Sequence, residues 1–232
     1  MHTSKSVVIF DIDGTLTETM HIDGHCFAQA LAEVFAFTEV DTDWSHYQHA
    51  TDAGILQELF ALRKERLPTL EETLGFQQTF VRLLTDACQQ SPFQAIAGAS
   101  DLLLHLSATP NLRIALATGA WSCSARLKMS SAGLCFDHFP AASADDAVAR
   151  EDIMKTAILR ASAVPPAIAF VNKIYIGDGV WDARACRKLK IPFIGIGTGL
   201  HAERLIAEGA VQTFPDLTDR NSFLQTVHKL SL

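Results

Sequence analysis

The chain predicts an α/β protein with a doubly wound, mainly parallel sheet and a block of helices inserted after the first strand. Three observations carry that expectation. From residue 95 onward, short apolar runs of strand length alternate with helix-length segments, the rhythm of a parallel sheet covered on both faces. The first run, Val7-Val8-Ile9-Phe10, is apolar at every position, as a strand buried on both sides must be. Residues 17–94, between that run and the rest, show only helical spacing.

The first strand stops on Asp11-Ile12-Asp13-Gly14-Thr15. Ligands of open α/β sheets bind beyond the carboxyl ends of the strands, so Asp11 and Asp13 stand where chemistry is usually done. Residues two apart leave a strand on the same side, and Gly14 turns the chain at once, which crowds the two carboxylates together. Such a pair needs a compensating cation or a raised pKa on one member. Magnesium suits it, being a hard cation that takes one or two carboxylates together with a substrate phosphate. The alternative is a turn merely opened by two acids. A calcium hand is excluded, because its glycine stands sixth in the loop and Gly14 is fourth.

Within the insertion, Phe27, Leu31, Val34 and Phe35 recur at helical spacing, as do Ile55, Leu56, Leu59, Phe60 and Leu62, and then Phe76, Phe80, Leu83 and Leu84. Three or four helices follow from this, more than a single crossover needs. After Pro92 the pattern predicts a helix over 99–106, a turn at Asn111, a strand over 112–117, and a helix over 122–132 closed by Gly133. A weak strand over 139–142 comes next, then a helix over 151–163, a strand over 174–177, a helix over 183–189 and a strand over 193–196. Two helices, 202–208 and about 222–230, end the chain.

Two further strand ends carry candidate chemistry. Thr118-Gly119 offers a hydroxyl and a closely approachable backbone N–H to a phosphoryl oxygen. Gly177-Asp178-Gly179-Val180-Trp181-Asp182 supplies two acids at the entrance to a helix. Asp182 there has an alternative role in capping that helix, whereas Asp178 has no such ready explanation. Gly195-Ile196-Gly197-Thr198-Gly199 departs from dinucleotide-binding spacing and reads as a permissive loop at the rim of the same site.

The Asp-x-Asp-Gly-Thr segment at 11–15, Thr118, and the Gly-Asp-x-x-x-Asp segment at 177–182 together resemble the first, second and fourth motifs of the haloacid dehalogenase-like superfamily. The third motif is a Lys or, less often, an Arg just before the helix that precedes the fourth-motif strand. Arg150 holds that place here, with Lys155 as runner-up. Arg150 also admits a surface reading, paired with Asp145, Asp146 or Asp152. The resemblance implies a Rossmann-like core at 1–16 and 95–232 with a helical cap at 17–94, placed as in the phosphoglycolate phosphatase-like branch. It implies a phosphatase of a small phosphorylated metabolite, in which Asp11 forms an aspartyl phosphate and Asp13 protonates the leaving alcohol and then activates water. Thr118, Gly119 and Arg150 would bind the phosphate. Magnesium would be held by Asp11, the carbonyl of Asp13, and Asp178. In the cap, His21, His25, Thr51 and Arg63 are candidates for substrate contact. The other readings are a sugar-phosphate mutase, a phosphonate hydrolase using Lys64 as an imine-forming lysine, and an idle phosphate-binding protein.

Composition narrows the partners. Apolar residues at 48% and charged residues at 19% suit a packed α/β protein and exclude disorder. A net charge of −7 without a basic stretch argues against nucleic acid. No apolar run is long enough to cross a bilayer, and the N-terminal Met1–Ser6 is too short and polar for a signal peptide. Five scattered cysteines, Cys26, Cys88, Cys123, Cys135 and Cys186, point to a reducing, cytoplasmic setting.

Overall fold

The computed structural model describes residues 5–231; Met1–Ser4 of the N-terminal segment read above lie outside them. The strands are β1 (Ser6–Phe10), β2 (Leu112–Ala117), β3 (Ala141–Ala142), β4 (Asn172–Gly177), β5 (Phe193–Ile196) and β6 (Gln212–Phe214). They form one sheet in the order β3-β2-β1-β4-β5-β6, and every neighbouring pair is parallel. β1, with its apolar run Val7–Phe10, lies at its centre. Val8 and Phe10 point to one face and join Leu102, Leu106, Met129 and Phe223, while Val7 and Ile9 point to the other and join Ile153, Met154 and Cys186. Helices on both faces therefore explain why Val7 to Phe10 are apolar at every position.

The helices among the described residues are α1 (Met20–Phe35), α2 (Asp52–Lys64), α3 (Leu70–Gln90), α4 (Ala99–Ser107), α5 (Ser122–Ser131), α6 (Arg150–Ala163), α7 (Val180–Leu189), α8 (Gly199–Ala207) and α9 (Arg220–Leu230). Helices α1 to α3 bury a separate apolar cluster, with the Phe27 ring 5.0 Å from that of Phe76 and 5.4 Å from that of Phe80. Trp121, at the start of α5, enters this cluster and stacks 6.2 Å from Phe27.

Three local expectations need correction. Leu62 is 72% exposed, because it lies at the edge of the stripe formed by Ile55, Leu56, Leu59 and Phe60. Helices α7 and α8 start three residues earlier than their apolar spacing indicates. In α7 the added turn is held where Asp182 Oδ2 accepts the Gly179 N–H at 3.1 Å. The short edge strand β6 was not anticipated. Only Phe214 of its three residues is buried, too little for an alternating pattern to show.

The register sets the site. Phe10 pairs with Leu116 on one side and Ile176 on the other, so the chain leaves β1, β2 and β4 at nearly the same level. The strand order reverses beside β1, the place where open α/β sheets leave a crevice for ligands.

Candidate active site

A cavity of about 50 Å³ lies in that crevice, between the strand ends and the first two helices. Asp11, Asp13, Thr118, Gly119 and Arg150 line it from the sheet side; Asp23, Phe27, Trp44, Thr51 and Asp52 line it from the helical side.

Asp11 is 3% exposed, and its backbone N–H donates to the Ile176 carbonyl at 2.9 Å. Burial raises its pKa to about 7 against the pull of Arg150, with Asp182 and Asp13 adding to the rise. Asp178 lies at the end of β4, its carboxyl pushed well up by burial and then by Asp11, Asp182 and Asp13. Among the described residues no cation pairs with Asp178; the Thr15 hydroxyl donates to its Oδ1 at 3.5 Å. Gly14 makes the approach of Asp178 possible. Its φ is +73°, and a Cβ there would stand 2.0 Å from Asp178 Oδ2.

Asp11, Asp178 and Asp182 offer carboxylate oxygens that lie within 4.8 Å of one another, all buried. Asp182 is already engaged, accepting from Gly179 N–H and from the Tyr175 hydroxyl at 3.2 Å. Asp182 thus caps α7, with its carboxylate beside those of Asp11 and Asp178. Asp178, with no cation partner among the described residues, and Asp11, whose Oδ1 alone is taken by Arg150, remain as a close pair of hard oxygen donors, a set that fits magnesium.

Arg150 is buried at the first position of α6, and it does not make the surface pairs expected as its alternative. Its Nη1 donates to Asp11 Oδ1 at 3.0 Å, its Nη2 to the Ala50 carbonyl at 3.1 Å, and its Nε lies 3.5 Å from Asp182 Oδ1. Gly119 leaves room for it, since a Cβ there would stand 2.7 Å from Nη2. Thr118 Oγ1 accepts the Ala120 N–H at 3.1 Å, which leaves its own proton for an oxygen in the cavity. Lys155, the runner-up, is exposed and bonded to Asp152 at 2.8 Å.

Asp13 meets a residue that reasoning from motifs passed over. Lys128, fully buried in α5, donates from Nζ to Asp13 Oδ2 and to Asp23 Oδ1, each at 2.6 Å. The Thr19 hydroxyl donates to the other oxygen of Asp13 at 2.5 Å. Burial alone would lower the pKa of Lys128, but Asp13 and Asp23 carry it well above the ordinary lysine value. A signal was present: Lys128 stands on the inward stripe of its helix with Ala125 and Met129, and Asp23 shares one with Phe27 and Ala30. Asp52, also missed, joins the two halves, its Oδ2 accepting the Trp121 N–H at 2.9 Å.

Of the candidates in the helical segment, only Thr51 reaches the cavity. Its hydroxyl donates to the Val148 carbonyl at 2.8 Å and accepts the Gly54 N–H, capping α2. His21 and His25 are exposed, and Arg63 lies over the Phe37 ring with a hydrogen bond to the Glu39 carbonyl. Lys64 lies over the Phe60 ring, 3.8 Å from Glu72, and does not line the cavity. The Gly195–Gly199 segment does not line it either; it ends β5 and opens α8. Aromatic and acidic neighbours hold these cations on the surface, which helical spacing alone does not reveal.

Several solved structures share this fold. A hydrolase from Pseudomonas syringae superposes with a TM-score of 0.73 at 22% identity, over 96% of this chain and 99% of that one. CbbY from Rhodobacter sphaeroides, solved in complex with phosphate, gives 0.68 at 16% identity, over 93% and 96%. A haloacid dehalogenase family hydrolase from Deinococcus radiodurans, solved with bound phosphate and sodium, gives 0.55 at 18% identity, over 98% of each chain. No curated protein matches the chain. The model of the haloacid dehalogenase-like hydrolases matches residues 5–190, well over half the chain and including the ends of β1, β2 and β4, and the protein belongs to that family.

Proposed function

We propose that this hydrolase is a magnesium-dependent phosphatase acting on a small phosphorylated metabolite. The observation that carries this reading is the placement of Asp11, with Oδ1 held by Arg150 and Asp13, Thr118 and Gly119 around the same small cavity. Arg150 orients the carboxylate so that Oδ2 attacks phosphorus as the bond to the leaving oxygen breaks. Asp13 gives that oxygen a proton, then takes one from the water that cleaves the aspartyl phosphate and frees Asp11. Thr19 and Lys128 fix where the Asp13 oxygens sit, while Thr118 and Gly119 donate to the phosphoryl oxygens. Asp11, Asp178 and the Asp13 carbonyl would hold magnesium, which would supply the positive field that lets a carboxylate approach a phosphate.

Residues 17–94 serve in this reading as a cap over the core formed by 1–16 and 95–232. Support comes from the two crossings, which lie side by side: Thr17 bridges Ala95, and Glu18 N–H donates to the Gln94 carbonyl at 2.9 Å. A paired crossing lets the cap move against the core as a unit. Five free cysteines fit a reducing cytoplasm. The phosphonate reading loses its lysine, since Lys64 is remote and Lys128 is held charged, the form that cannot add to a carbonyl.

The test is phosphate release from an aryl phosphate with magnesium. Wild-type protein turns it over and Asp11→Asn does not; full activity in Asp11→Asn removes Asp11 as the nucleophile. Phosphate binding without turnover by the wild type across a broad panel would instead favour an idle binder.

A further inference from the structure

The cap side of the cavity carries a charge pattern that phosphoryl transfer does not require. Two carboxylates from the cap helices, Asp23 and Asp52, line the cavity in addition to Asp11 and Asp13. The lining contains one cationic side chain, Arg150, and each of its nitrogens already faces Asp11, the Ala50 carbonyl or Asp182. Lys128 stands behind the wall with its ammonium on Asp13 and Asp23. No lining cation is left over for an acidic group on the substrate beyond its phosphate. The rest of the cap wall holds Met20 and Ile55 beside Phe27 and Trp44, whose rings meet edge to face at 5.7 Å. The cavity is small, about 50 Å³, which favours a short alcohol over a bulky one.

We infer, resting on the phosphatase reading above, that the substrate is the monophosphate of a small alcohol with no second acidic group, either uncharged or bearing an ammonium. An anionic leaving group would shed its water and then meet Asp23 and Asp52 without a partner. An uncharged alcohol avoids that cost. An ammonium gains the carboxylates and the aromatic faces together.

Three esters of one size test this: 2-phosphoglycolate, 2-hydroxyethyl phosphate and O-phosphoethanolamine, assayed with the full chain and magnesium alongside an aryl phosphate. The expected kcat/KM for 2-phosphoglycolate is at least roughly tenfold below both others, the discrimination one like-charge contact in a partly buried site enforces. Asp52→Asn is expected to narrow that ratio, and an unchanged ratio in a folded variant overturns the electrostatic cause. Hydrolysis of 2-phosphoglycolate as fast as 2-hydroxyethyl phosphate overturns the inference and leaves the phosphatase reading standing. Turnover of the aryl phosphate with none of the three refutes the small-alcohol assignment. Inactivity on all four refutes the phosphatase reading, and the inference with it.

Discussion

Replacing Lys128 with Met removes one charge and keeps most of the buried stem. In the intact protein the Lys128 side chain is 0% exposed and its partners Asp13 and Asp23 are 11% and 16% exposed, each 2.6 Å away. Removing one member of a buried pair leaves the others uncompensated, at a cost of about 3–5 kcal/mol. The cost depends on pH in a definite direction. Asp23 has its pKa raised to about 6 by burial even with Lys128 lowering it, so without Lys128 it rises further. The folded variant then takes up a proton that the unfolded chain does not hold, and falling pH restores stability to the variant relative to wild type. Urea unfolding followed by tryptophan fluorescence should therefore show the full loss at pH 8 and a clearly smaller one at pH 5. Combined with Asp23→Asn, the loss should fall short of the sum of the single losses by more than about 1 kcal/mol. A loss below about 1 kcal/mol at pH 8, or equal losses at the two pH values, would refute the view that this lysine neutralises the site.

Gly14→Ala forces a side chain into a backbone at φ +73° and onto Asp178. It should cost about 1–3 kcal/mol in unfolding assays and lower phosphate release at least roughly a hundredfold; near-normal turnover would show that Asp178 does not need that approach. Magnesium should stabilise the protein more at pH 8 than at pH 5.5. Asp11 rises from 3.8 to about 7 on folding and Asp178 also rises, so without metal stability falls as pH climbs through that range, and bound metal offsets the loss. At a hundred times its dissociation constant the metal adds about 2.7 kcal/mol, read as a shift in Tm, and equal shifts at both pH values would count against a metal on these carboxylates.

Most of the sheet was legible because its strands announce themselves locally. A four-residue apolar run such as Val7–Phe10 has to be buried on both faces, and each of the first, second and fourth strands ends on a residue that the site uses. Asp11, Asp13, Thr118, Gly119 and Asp178 were therefore within reach, since strand ends of an α/β sheet converge, whereas Arg150, at a helix start, was indicated by the family resemblance alone. Lys128, Asp23 and Asp52 were not within reach, although two of them sit on helix stripes that must face inward. A charged residue on such a stripe has meaning only once its partner is known. Arg63, Lys64, His21 and His25 stand outside the cavity for the reverse reason: their residue types suit a site, and nothing local says which way a helix of the inserted segment faces.

Residue order along the chain settled which segments become strands or helices, where Gly14 must turn the backbone, and which acids stand at strand ends. Folding settled which charges meet. Asp11 finds Arg150 139 residues away and Asp13 finds Lys128 115 residues away. Local periodicity is decided by neighbours within a few positions, whereas the compensation of a buried charge depends on which helix packs over which strand end.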